Sequence, residues 1–84
     1  RQGWPMVTVP RQSPIEPALT LAIARQESEF DPKAVSSANA QGLMQVLPGT
    51  AKHTIRAFSL PYGSAQLFDP DANLVIGSHY LSEL

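Results

Sequence analysis

With 84 residues the chain makes one small domain, which buries a smaller share of its surface than an average domain does. It is 43% hydrophobic and 15% charged with a net charge of -1, so it lacks the basic excess that nucleic acid or an anionic membrane attracts. The absence of cysteine excludes disulfide frameworks, thiolate chemistry and cysteine–zinc sites.

Residues 1–12 carry Pro5 and Pro10 between small apolar residues and read as an extended lead-in, with Trp4 and Met6 available to pack. A first helix is signalled next. Ser13 is a good N-cap, Pro14 suits the first helical position, and Glu16 completes a Ser-x-x-Glu capping box. Pro17 falls in the first turn, where its missing N–H costs little. Ile15, Ala18, Leu19, Ala22 and Ile23 form an apolar stripe at helical spacing, and Leu21 and Ala24 extend it, so much of this helix is expected to be buried. The longest apolar run, Ala18 to Ala24, is interrupted by Thr20 and is far short of a membrane span. Pro32 is expected to force the helix to end, with Asp31 extended before it.

Pro32 to Val35 suits one short turn, and Ser36 to Gln41 is small and polar, hence loop. A second helix is predicted from Pro48 to Phe58, with Ala51, Ile55 and Phe58 at helical spacing. Ser59 to Leu67, with Pro61 and Gly63, reads as loop. Asp69 then caps a third helix that has Pro70 in its first position and is lined by Leu74, Ile76, Gly77, Tyr80, Leu81 and Leu84. No segment has a convincing strand pattern, so the fold class expected is mainly α.

Glu27 is the carboxylate of interest. It lies in the last turn of the first helix with Ile23 and Ala24 as its neighbours one turn back, while Arg25 projects from nearly the opposite side. An apolar flank and the negative end of the helix dipole both disfavour an ionised carboxylate. A carboxylic acid that keeps its proton is what protonation of a glycosidic oxygen requires. The plain alternative is a terminal-turn glutamate that reaches water. No acidic residue lies between Asp31 and Asp69, and Asp69 and Asp71 read as helix-start residues. If Glu27 is catalytic, it is expected to work without a carboxylate nucleophile, unlike the usual pair of glycosidase carboxylates. His53 and His79 are far apart and suggest no metal site.

The run Ala22-Ile23-Ala24-Arg25-Gln26-Glu27-Ser28 is followed by Phe30-Asp31-Pro32-Lys33-Ala34-Val35-Ser36, Gly42-Leu43-Met44-Gln45 and Pro48-Gly49-Thr50-Ala51. With Leu67-Phe68-Asp69-Pro70, Asn73, Ile76-Gly77 and Tyr80-Leu81, this order resembles the soluble lytic murein transglycosylases over about residues 18 to 84. The resemblance implies a lysozyme-like, mostly helical catalytic domain (α+β superfamily), of which residues 13–84 are the N-terminal part. The C-terminal helices, and a tyrosine-bearing segment near the glutamate, are expected beyond Leu84. It implies cleavage of the MurNAc–GlcNAc β-1,4 bond of peptidoglycan in the periplasm, with a 1,6-anhydromuramoyl product and no metal or organic cofactor. Glu27 matches the family's single catalytic glutamate. Ser36, Met44 and Gln45 match residues that line the family's active site.

The chain departs from the family at Ser36-Ser37-Ala38-Asn39, where Ser-Pro-x-Gly is common; Asn39 tolerates a left-handed backbone, so the loop is expected to survive. Leu47 stands where methionine is frequent. Competing readings are a goose-lysozyme-type hydrolase, in which water attacks, a non-catalytic glycan-binding module and a purely structural protein. The incomplete domain is expected to leave the third helix's Leu74, Ile76, Tyr80, Leu81 and Leu84 uncovered, a face through which a second copy could pack.

Overall fold

The computed structural model describes Pro10 and residues 13–84. The expected lead-in, with Trp4 and Met6, lies outside the described residues apart from Pro10. Three α-helices follow in order: α1 (Pro17–Ser28), α2 (Pro48–Phe58) and α3 (Pro70–Glu83). A single 3-10 turn, Ser64–Gln66, precedes α3. The only extended pairing among the described residues is a pair of isolated bridges, Val35 to Gln41 and Gln41 to Val46.

The second helix begins and ends as the sequence predicts, and α3 begins as predicted with its cap in place; it ends at Glu83, with Leu84 as its C-cap. Asp69 Oδ1 accepts from the backbone N–H groups of Asp71 and Ala72 at 3.0 and 3.3 Å, satisfying two donors that a helix start leaves unpaired. The start of α1 differs from expectation. The helix begins at Pro17, not at Pro14, and its cap is Glu16, whose carboxylate accepts from the Leu19 N–H at 3.1 Å. Pro17 in the first position needs no donor, so the chain has two overlapping start signals and uses the later one. Nor does Pro32 stop α1. Glu29 and Phe30 adopt left-handed backbone (φ 52° and 63°), and the helix ends there.

α1 is also less buried than its apolar stripe suggests. Thr20 and Ala24 are buried and Ile23 is half-buried, but Ala18, Leu19 and Ala22 are exposed. The physical reason is its partner. α1 packs through Ala24 and Ser28 on the turn at residues 42–46, and no described element covers its other side.

α3 is the central helix. Residues 72–78 are all buried, so Leu74 and Ile76 belong to the core instead of the exposed face expected of them. α2, Leu67 and the turn at 42–46 cover them, forming one cluster of Leu43, Met44, Val46, Ala51, Leu67, Ala72, Leu74 and Ile76. The two ends of α3 emerge: Pro70 and Asp71 are exposed at its start, and at its end Tyr80 and Leu84 are exposed and Leu81 half-buried. Asn39 has φ 69°, the left-handed conformation for which an asparagine is suited.

Candidate active site

The turn Gly42–Val46 is the piece of irregular chain around which the cleft is built. Gly42 has φ +80°, and a Cβ placed there would meet the Leu67 carbonyl and the Asn73 side chain. Glycine is therefore required twice, for the backbone angle and for the close approach. Val46 and Gln41 exchange backbone hydrogen bonds at 2.9 and 3.0 Å and close the turn. Inside it Gln45 also takes a left-handed conformation, φ 53°. Its side chain accounts for this cost: Nε2 donates to the carbonyls of Ala34 and Gly42, each at 3.0 Å.

Two helices hold this turn. From α1, Ser28 Oγ lies 2.7 Å from the Leu43 carbonyl and 2.9 Å from the Ala24 carbonyl. From α3, Asn73 Oδ1 accepts from the Met44 N–H at 2.7 Å. Gly77 makes room for the Met44 side chain, since a Cβ at Gly77 would stand 2.6 Å from Met44 Sδ.

Above the turn is a cleft of about 300 Å³, lined on one side by Ile23 and Glu27 of α1 and on the other by Gly77, Tyr80 and Leu81 of α3. Met44, Gln45, Val46, Leu47 and Thr50 complete it. Among the described residues Glu27 is the only carboxylate in this lining. It projects from the last turn of α1, as the sequence predicts, and its surroundings in the cleft are largely apolar. It is nevertheless exposed, and its carboxylate accepts no hydrogen bond among the described residues. The desolvation expected of Glu27 is thus not supplied by these residues alone: its apolar neighbours flank it on the helix side without covering it.

Of the other residues singled out in the sequence, Met44 forms the buried floor and Gln45 sits on the wall. Ser36 is not in the lining. It is exposed, and its Oγ accepts from the N–H groups of Ala38 and Ala40 at 3.2 and 3.0 Å, organising its own loop. The same loop nonetheless abuts the turn, because Gly42 N–H donates to the Ala34 carbonyl at 2.9 Å. Sequence reasoning did not single out Tyr80 and Thr50 as cleft groups. The signal for Tyr80 was present: Gly77, Tyr80 and Leu81 share one helix face at i, i+3 and i+4.

A family profile described as "Transglycosylase SLT domain" matches residues 9–84. The chain is 52% identical over 69 residues to the soluble lytic murein transglycosylase of Escherichia coli (strain K12), a match covering 80% of this chain and 11% of that protein. The crystal structure of the 70 kDa soluble lytic transglycosylase from Escherichia coli superimposes with a TM-score of 0.77 at 46% identity, over 84% of this chain and 12% of that one. An inactive glutamate-to-glutamine mutant of lytic transglycosylase Slt from Pseudomonas aeruginosa gives 0.77 at 44% identity, over 82% and 11%. The chain therefore spans about a tenth of the length of these relatives, within which it is mainly helical and lysozyme-like as expected. On the profile, the identity and the superposition together, this chain belongs to the transglycosylase SLT domain family.

Proposed function

We propose that this domain, within the protein its gene encodes, cleaves the MurNAc–GlcNAc β-1,4 glycosidic bond of periplasmic peptidoglycan as a lytic transglycosylase, with Glu27 as acid and then base. The observation that carries the reading is the lone carboxylate: Glu27 stands in a cleft whose other nine lining residues carry no second acid. Two-carboxylate hydrolysis needs a partner about 5 to 10 Å away to act as nucleophile or to activate water. A single carboxyl group suits a reaction in which the substrate supplies its own nucleophile.

The steps balance without water. Protonated Glu27 gives its proton to the glycosidic oxygen, the bond from that oxygen to the anomeric carbon of MurNAc breaks, and GlcNAc leaves with a free 4-hydroxyl. Positive charge on the MurNAc ring is relieved by the neighbouring N-acetyl oxygen. The Glu27 carboxylate then takes the proton of the MurNAc 6-hydroxyl as that oxygen attacks the anomeric carbon, closing the 1,6-anhydro ring and regenerating the acid. A glycan strand laid in the cleft would exclude water from Glu27. Met44 would support the sugar from below. Gln45, whose two Nε2 protons are already donated to Ala34 and Gly42, keeps Oε1 as an acceptor. Ser36 would act by shaping the loop that backs the turn.

The test is Glu27→Gln in the whole protein, with muropeptides released from purified sacculi read by mass spectrometry. The parent is expected to release 1,6-anhydro ends and the variant none, with the fold retained. Anhydro products from the variant would falsify the single-glutamate mechanism. Reducing ends from the parent would instead identify a hydrolase that admits water to the same cleft.

A further inference from the structure

Asn73 is wholly buried in the middle of α3, in a run of apolar neighbours, Ala72, Leu74, Val75 and Ile76. All three of its side-chain hydrogen bonds go to backbone groups outside its own helix. Oδ1 accepts from the Met44 N–H at 2.7 Å, and Nδ2 donates to the carbonyls of Gln41 at 2.8 Å and Leu67 at 2.9 Å. A leucine of similar size would fill the same space but leave the Met44 N–H and the Leu67 carbonyl without a partner and the Gln41 carbonyl with the Val46 N–H alone. Asparagine at this position therefore serves direction, not volume.

What it directs is the cleft-lining turn. Gln41 and Met44 bracket Gly42 and Leu43, so one carboxamide grips the turn at its entry and at its middle. Gly42 lacks the Cβ that would collide with that carboxamide. Met44 is held by α3 twice, its backbone by Asn73 and its side chain against Gly77. The preceding residue, Leu43, is held by Ser28, which follows Glu27 on α1. Two consecutive residues of one turn thus tie the helix that carries Glu27 to the helix that forms the opposite wall.

We infer that Asn73 is a positioning residue for glycan cleavage, acting through Met44 to set the floor and the Gln45 wall of the cleft at a fixed distance from Glu27. The inference rests on the reading of Glu27 as the acid. Displacement of a reacting geometry by about an ångström costs roughly a hundredfold in rate even when the substrate still binds.

The experiment measures kcat and KM separately on soluble, uncrosslinked glycan strands, using the whole protein well below its unfolding temperature and with folding checked by circular dichroism. Asn73→Asp keeps the acceptor for Met44 and removes at least one donor, and Asn73→Ala removes all three bonds. For folded protein kcat is expected to fall about tenfold in the first and about a hundredfold in the second, with KM changed by less than about threefold. Folded variants turning over at the parent rate would overturn the inference.

Should neither variant fold, Gly77→Ala displaces Met44 from the other side: the new Cβ would stand 2.6 Å from Sδ, which can swing away, and 3.0 Å from Met44 Cβ, which can yield only by a small shift of the turn. Its kcat is expected to drop several-fold at unchanged KM; a parent-like kcat would show that the position of Met44, through which Asn73 is inferred to act, does not set the rate, and so sinks the inference. Glu27→Gln assayed in parallel separates the two ideas. A dead Glu27→Gln beside normal Asn73 variants overturns the positioning role alone, whereas an active Glu27→Gln overturns both.

Discussion

The Ser28 hydroxyl lies 2.7 Å from the carbonyl of Leu43 and so fastens the end of α1, one residue past Glu27, to the turn that floors the cleft. No other hydrogen bond to that carbonyl is present among the described residues, and Leu43 is itself buried. Removing the hydroxyl leaves a buried acceptor unpaired.

Ser28→Ala is accordingly expected to lower stability by about 1–3 kcal/mol, the usual cost of an orphaned buried polar group. Ser28→Thr keeps a hydroxyl at the same branch point and should recover much of the loss. Chemical denaturation of both variants checks this. Equal stability of Ser28→Ala and the parent would mean that the bond to Leu43 contributes nothing.

The reverse sign is expected one helix later. Thr54 is fully buried on α2, and its Oγ1 has no hydrogen-bond partner among the described residues. Thr54→Val replaces that hydroxyl with a methyl group of nearly the same shape and removes an uncompensated desolvation cost. A gain of about 1 kcal/mol follows. A lower unfolding midpoint for Thr54→Val would show that the hydroxyl is in fact satisfied.

These contrasts explain which features could be read from the sequence. The bounds of α2 and the cap of α3 were legible because Pro48 and the Asp69-Pro70 pair act within one turn of their own chain. The start of α1 was not, because Ser13-Pro14 and Glu16-Pro17 obey the same local rules and nothing local ranks them. Asn39 was legible as a left-handed residue because asparagine tolerates that conformation intrinsically. Gln45 was not, since its left-handed backbone is held by the Ala34 carbonyl, eleven residues away. Helical spacing put Glu27 on the face of Ile23 and Ala24, and the family resemblance made that face a cleft. Its exposure could not be read, because burial depends on what packs from outside the helix. Asn73 could have been found as the one polar residue between Ala72 and Leu74-Val75-Ile76, but its partners lie up to 32 residues away.

Two glycines test the same division between local and distant causes. Gly49 sits at the second position of α2, is exposed, and has no atom within 4 Å of where a Cβ would go. Gly49→Ala loses nothing in the folded state and restricts the unfolded chain, so stability should rise by about 0.4–1 kcal/mol. For a domain of this size that is a gain of roughly 2–8 °C in the unfolding midpoint. Gly42 offers the opposite environment. Its φ of +80° disfavours any side chain, and the added Cβ would strike the Leu67 carbonyl and the Asn73 carboxamide. Neither obstacle is a flexible chain end: one is backbone, and the other is fixed by three hydrogen bonds. Relief of the clash must break some of those bonds, so strain and lost pairing add, and Gly42→Ala is expected to cost about 3 kcal/mol or more. Thermal unfolding of the two alanine variants side by side decides the matter. Shifts of the same sign would show that the turn at Gly42 is not held against α3 as tightly as its geometry requires.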